Sequence, residues 1–154
     1  SNIRRNSPLC LDSKIHHNNL INNILAKIEA NHAGVDDALM LDIDGFVSET
    51  NATNIFMIKD GIVYTPFPKA CLPGITRQTV IDICQSNNIP IIEKDISVTE
   101  MYNADEVFST GTMGELARVE EIDKRKIENK GDILSNLQDL FRKLTEKDGE
   151  KIPF

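Results

Sequence analysis

The sequence predicts an α+β domain, a mixed sheet with helices around it, and three observations predict it. Leu20, Ile21, Ile24, Leu25 and Ile28 recur at helical spacing ahead of Gly34, the pattern of one helix face. The stretches "ALMLDIDGFVSE" and "NIFMIKDGIVYT" each set an Asp-Gly between β-type runs, the strongest short-range hairpin signal. Near the C-terminus, Ile133, Leu134, Leu137, Leu140, Phe141 and Leu144 share the apolar face of an amphipathic helix.

Taken in order, the first helix starts near Leu20 and stops at Gly34, a C-cap residue. The two hairpins then join into a sheet. A second helix follows Gly74 through about Ser86, with Val80, Ile81 and Cys84 on one side. "IPIIEKDIS" reads as a strand, and "SVTE" opens a short helix, because Ser97 and Glu100 have capping-box spacing. "EVFSTG" is a strand ending in Gly, "LARVEEI" is another, and the amphipathic helix closes the chain.

Composition limits the functions open to such a domain. The expected unit is a single domain over residues 1–154, long enough to bury a core. A formal charge of -7, with scattered basic residues, would repel a phosphate backbone or an anionic membrane face, so neither nucleic acid nor membrane is an expected partner. Cys10, Cys71 and Cys84 are odd in number and lack CxxC spacing, which suits free thiols in the cytoplasm or an organelle matrix. No apolar run approaches a membrane span, and "SNIRRNSP" has no signal-peptide core. The start at "SNIRRNSP" is abrupt, and the expectation is a piece of a longer chain.

Three stretches carry chemistry. In "CLPGITRQTV" a Pro-Gly turn delivers Ile75 and Thr76 to a helix start, where free N–H groups, the helix dipole and a hydroxyl suit a phosphate; an ordinary capped turn has the same wording. "STGTMGE" puts Ser109, Thr110, Gly111 and Thr112 after an apolar strand, as an anion nest or a plain strand exit. Glu49, in "DGFVSETNATNIF", lies within a strand-like run, where a carboxylate that faces inward needs a donor or a cation and one that faces outward does not. A cationic ring nitrogen would be such a partner.

In this order the motifs "NNILAKIEAN", "LDIDGFVSETNATNIF", "LPGITR" and "ADEVFSTGT" resemble those of the class IV (fold type IV) pyridoxal-phosphate aminotransferases, from about Arg4 to about Phe141. That family includes branched-chain aminotransferases, D-amino-acid aminotransferases and aminodeoxychorismate lyases. The resemblance implies the larger C-terminal domain of a two-domain chain, with its sheet curled into a partial barrel, and a homodimer for the full-length protein. It implies pyridoxal 5′-phosphate as cofactor, and transamination between a branched-chain amino acid and 2-oxoglutarate, a fragment alone being inactive. Glu49 would hydrogen-bond the pyridine nitrogen, Leu72 would pack on the ring, and Ile75, Thr76 and Thr112 would hold the phosphate. Thr112 and Met113 would receive the substrate carboxylate, and Arg4 would lie near the phenolic oxygen.

The family also implies a lysine that bonds the cofactor aldehyde and shuttles a proton, and here "LDSKIHHNNLINN" departs from the pattern. With Asn19 in the place of the family asparagine, the lysine position falls on His16 or Ile15; with Asn18 there, Lys14 regains the spacing. On an extended segment, positions 14 and 16 point to one side, so Lys14 and His16 are the candidate catalytic residues. Leu20 stands where many members carry tyrosine, which leaves a D-amino-acid enzyme open, and a PLP-fold relative without catalysis is the alternative of another class. His32 reads as surface, and no carboxylate or thiolate near the histidines has metal-ligand spacing.

Overall fold

The computed structural model describes residues 1–15 and 18–148. Its elements run α1 (Ile21–Ala33), β1 (Leu39–Leu41), β2 (Val47–Thr50), β3 (Asn54–Lys59), β4 (Ile62–Thr65), α2 (Ile75–Ser86), β5 (Ile91–Glu93), α3 (Val98–Tyr102), β6 (Glu106–Gly111), β7 (Glu115–Arg118), β8 (Glu121–Ile122), β9 (Arg125–Lys126) and α4 (Ile133–Asp148). The fold is the expected α+β arrangement with a mixed sheet. Five strands lie in the order β5-β4-β3-β6-β7, all antiparallel except the β4/β5 pair.

Both Asp-Gly signals mark hairpins, but the turns and the sheets differ. Asp60 and Gly61 take φ 50° and 79° between the paired Lys59 and Ile62, so positive φ at both central residues gives the two-residue turn whose twist suits the strands. The first hairpin needs a longer loop: Asp42 Oδ1 accepts from the N–H groups of Asp44 and Phe46, at 3.0 and 2.9 Å. The hairpins do not merge into one ladder. β1 and β2 pair only with each other, with a bulge between Met40 and Leu41. Main-chain bonds from Val47 to Ile96 and from Thr50 to Thr53 then tie this ribbon to the larger sheet. "LARVEEI" also divides, into β7 and the separate β8–β9 hairpin.

The central strand β3 is buried on both faces because its alternation serves two cores. Phe56 and Ile58 join Phe108 of β6, Val80, Ile83 and Cys84 of α2, and Leu134, Leu137 and Phe141 of α4. Ile55 and Met57 face the other way, onto Ile96, Met101, Val107 and Ile127. Phe56 lies opposite Phe108 in the ladder, with ring centroids 4.9 Å apart. The short helix α3 carries the full capping box between Ser97 and Glu100.

The first helix forms where the spacing puts it and ends on Gly34, whose φ of 72° is left-handed, and its apolar stripe faces outward. Ile21, Ile24, Leu25 and Ile28 are 58, 51, 45 and 43% exposed, while Ala26 and Ala30 are buried. The alanines pack on Ala38 and Met40. The buried side of α1 is thus lined by small side chains, and its isoleucine and leucine stripe faces outward.

Candidate functional site

The site begins with a carboxylate that the fold has buried. Every residue of β2 is buried, and Glu49 lies opposite Met40 on the ribbon face covered by α1. Residues 1–5 run beside β1, held by bonds from the Ser1 amine to Leu39 O and from Arg5 N–H to Leu41 O. This extension brings in Arg5, which is buried and bonds Glu49 Oε1 through Nη2 at 2.8 Å. Arg5 also donates to the Ala70 carbonyl at 3.1 Å and to Asn23 of α1. Arg4, the arginine expected near the cofactor, is exposed. Neighbours on an extended segment point to opposite sides, so only one of the pair reaches Glu49.

The second carboxylate oxygen is held by Asn54. Its Nδ2 donates to Glu49 Oε2 at 3.1 Å and to the Leu72 carbonyl at 2.9 Å. Burial pushes the Glu49 carboxyl up to about 7, while the Arg5 charge and the Leu72 backbone pull it down. Burial, reinforced by the Glu49 charge, also lifts the nearby Cys71 thiol to about 12, so it stays protonated and inert at neutral pH.

The same asparagine joins the two turns. Its side chain lies beside Gly74, the N-cap of α2: a Cβ built on Gly74 would come within 2.3 Å of Asn54 Oδ1. Its backbone pairs with Thr110 near the end of β6, and a Cβ on the adjoining Gly111 would lie 3.1 Å from Thr53. The start of α2 and the end of β6 therefore meet at one end of the sheet. Among the described residues no side chain caps α2, and its first turn has no acidic residue, so N–H groups and helix dipole are available to an anion there. Thr110 Oγ1 is buried without a hydrogen-bond partner among the described residues.

The expected residues follow this frame. Leu72 and Thr76 are half-buried, while Ile75, Thr112 and Met113 are exposed, so the converging turns form an open face rather than an enclosed cavity. Lys14 lies in a local turn. Its N–H bonds Asp12 Oδ1 at 3.0 Å and the Ile15 N–H bonds the Asp12 carbonyl at 3.1 Å, so residues 12–15 form a turn and the strand alternation expected there does not apply. The exposed Lys14 lines a recess of about 360 Å³ with Asn6, Asp42, Asp44 and Lys69. Glu49, Asn54 and Thr112 are not part of that lining. His16 lies outside the described residues. Among the described residues, no His, Cys, Asp and Glu group could hold a metal ion, and no helix is long and apolar enough to cross a membrane.

Arg5, Asn54 and Arg77 were not singled out by sequence reasoning. Asn54 and Arg77 stand inside the quoted motifs, so the signal was present. Arg77 is buried and anchors α2 to the Pro66 carbonyl at 2.9 Å and to Glu93 of β5.

Residues 1–122 match the family model described as amino-transferase class IV. The chain is 60% identical over 152 residues to branched-chain-amino-acid aminotransferase-like protein 2 of Arabidopsis thaliana, covering 97% of this chain and 27% of that protein. Among solved structures, it superposes on the branched-chain aminotransferase of Thermoproteus uzoniensis with norvaline at a TM-score of 0.92 and 34% identity, covering 97% of this chain and 51% of that one. The holo PLP form of the Thermobaculum terrenum branched-chain amino acid aminotransferase gives 0.91 at 31% identity, covering 96% and 50%. The chain thus spans about half the length of these structures and about a quarter of the Arabidopsis relative.

Proposed function

Because this chain belongs to the class IV amino-transferase family, we propose that it is the pyridoxal 5′-phosphate-binding part of an enzyme transferring the amino group of a branched-chain amino acid to 2-oxoglutarate. The observation that carries this reading is the buried Glu49 carboxylate, held by Arg5 and Asn54 beside the uncapped start of α2. An acceptor for a ring N–H and a set of anion donors thereby lie at one end of the sheet. The residues fit the cofactor: a carboxyl needing a further donor, a helix start free of acidic side chains, and the unpartnered Thr110 hydroxyl.

When bound, the cofactor supplies an aldehyde for the amino group and a protonated ring that withdraws electrons. Glu49 accepts the ring N–H, and Arg5 favours the ionised form of that carboxylate. The N–H groups of Ile75 and Thr76, with the hydroxyls of Thr76 and Thr112, hold the phosphate. Leu72 packs on the ring, and the Thr112–Met113 turn receives the substrate carboxylate. Arg4, exposed as it is, stays assigned to the phenolic-oxygen side on the family pattern alone. Lys14 Nζ is assigned covalent attachment and, with His16, proton transfer, because an imidazole cannot replace a primary amine. We further assign the full-length protein, a homodimer, to a reducing compartment, cytoplasm or organelle matrix, on the three free cysteines.

A second reading, a PLP-fold relative that binds without catalysis, is favoured by the turn that sets Lys14 in the Asp42–Lys69 recess. Borohydride reduction of the full-length protein loaded with pyridoxal 5′-phosphate, followed by peptide mapping, separates the two. Label on Lys14 supports transamination. Cofactor binding with no label in residues 11–20 supports the second reading instead. Assays with L- and D-amino acids distinguish the branched-chain enzyme from a D-amino-acid aminotransferase, and release of pyruvate from aminodeoxychorismate would indicate a lyase.

A further inference from the structure

We infer that Asn54 is the positioning residue that sets the span between the ring-nitrogen acceptor and the phosphate turn, an inference that rests on the cofactor reading above. The residue is 6% exposed, and its Nδ2 donates to that site twice: to Glu49 Oε2 at 3.1 Å and to the Leu72 carbonyl at 2.9 Å. Its carbonyl side lies against Gly74, where a Cβ would approach Oδ1 to 2.3 Å. One planar group therefore touches the carboxylate of β2, the loop expected under the ring, and the first residue before α2. Its own backbone is fixed in the β3–β6 ladder opposite Thr110.

Arg5 holds Oε1 of Glu49 and Asn54 holds Oε2, so two donors on different oxygens set the carboxylate plane and leave lone pairs for one more donor. A hydroxyl or methyl at position 54 is too short to bond both Glu49 and Leu72. Without the amide, Glu49 can rotate about the Arg5 contact, and the Leu72–Gly74 loop loses its tie to the sheet. The acceptor and the phosphate donors would then vary in separation, although no residue touching the cofactor had changed.

The test uses pyridoxamine 5′-phosphate and pyridoxamine as probes on the full-length protein with its natural sequence, Asn54→Ser and Gly74→Ala. Ring-¹⁵N-labelled probe reports the protonation of the bound pyridine nitrogen across a pH series. Gly74 has φ -63°, which alanine adopts freely, so Gly74→Ala displaces the Asn54 amide without backbone strain and serves if Asn54→Ser fails to fold. In each folded variant, the affinity advantage of the phosphorylated probe should fall about tenfold, the scale of one lost charge-assisted hydrogen bond. The bound-nitrogen titration should move toward that of free probe. A folded variant that keeps both the natural phosphate advantage and the natural nitrogen titration overturns the inference. Failure of the unaltered chain to bind either probe overturns the cofactor reading and this inference with it, whereas binding by the unaltered chain with unshifted variants overturns only the role of Asn54.

Discussion

At the scale of single residues, the feature with the largest energetic consequence is how far the Glu49 carboxyl is removed from water. Its carboxyl is raised from 4.5 to about 7, chiefly by burial. A carboxyl whose folded value is raised binds its proton more tightly in the fold, so its contribution is fully present below pH 4.5 and is lost as pH rises toward 7. The shift corresponds to about 3 kcal/mol lost across that window. Urea denaturation of the natural chain and Glu49→Gln at pH 5 and pH 8 should show it: the natural chain loses stability relative to the variant at the higher pH. A difference independent of pH would mean that Glu49 stays ionised throughout. Arg5 and Asn54 explain why the charge is tolerated, and both were missed in the sequence for the same reason. Their partners are distant in the chain, and Arg4 and Arg5 are equivalent until the segment beside β1 selects which one turns inward.

At the scale of elements, α1 and α4 look alike in sequence and behave oppositely. The α4 stripe is core: Leu134 and Leu137 are fully buried, and Leu137→Ala should cost about 2–5 kcal/mol. The α1 stripe already lies in water, so Ile24→Lys with Ile28→Lys should change the stability of this chain by no more than about 1 kcal/mol. A loss of several kcal/mol in that double variant would place the stripe in a core. The start of α4 depends on a strand far from it. Glu106 of β6 is fully buried and accepts from the N–H groups of Ile133 at 3.2 Å and Leu134 at 3.4 Å. A carboxyl acceptor there satisfies N–H groups that have no partner within the helix. Glu106→Ala leaves those donors unpaired and should lower the urea-derived stability by about 1–3 kcal/mol, and an unchanged midpoint would remove Glu106 as a cap.

At the scale of the whole molecule, the formal charge of -7 predicts that the chain passes heparin at neutral pH and low salt without retention; retention would reveal a basic face that composition hides. The sequence by itself determined the class of every major element, because helical spacing, Asp-Gly turns, the Ser97–Glu100 box and the run "EVFSTG" act through neighbours in the chain. It also determined the family, and it singled out Glu49, Leu72, Thr76 and Thr112 as candidates, since those lie in contiguous motifs. Tertiary structure decided which faces are buried and which strands join: α1 buries its alanines rather than its isoleucine stripe, and the first hairpin, bulged between Met40 and Leu41, stays outside the five-stranded sheet. It also decided that Arg5 rather than Arg4 meets Glu49, and that residues 12–15 turn rather than extend. These outcomes depend on contacts between segments far apart in the chain, and local pattern carries no information about which side of an element another segment will cover.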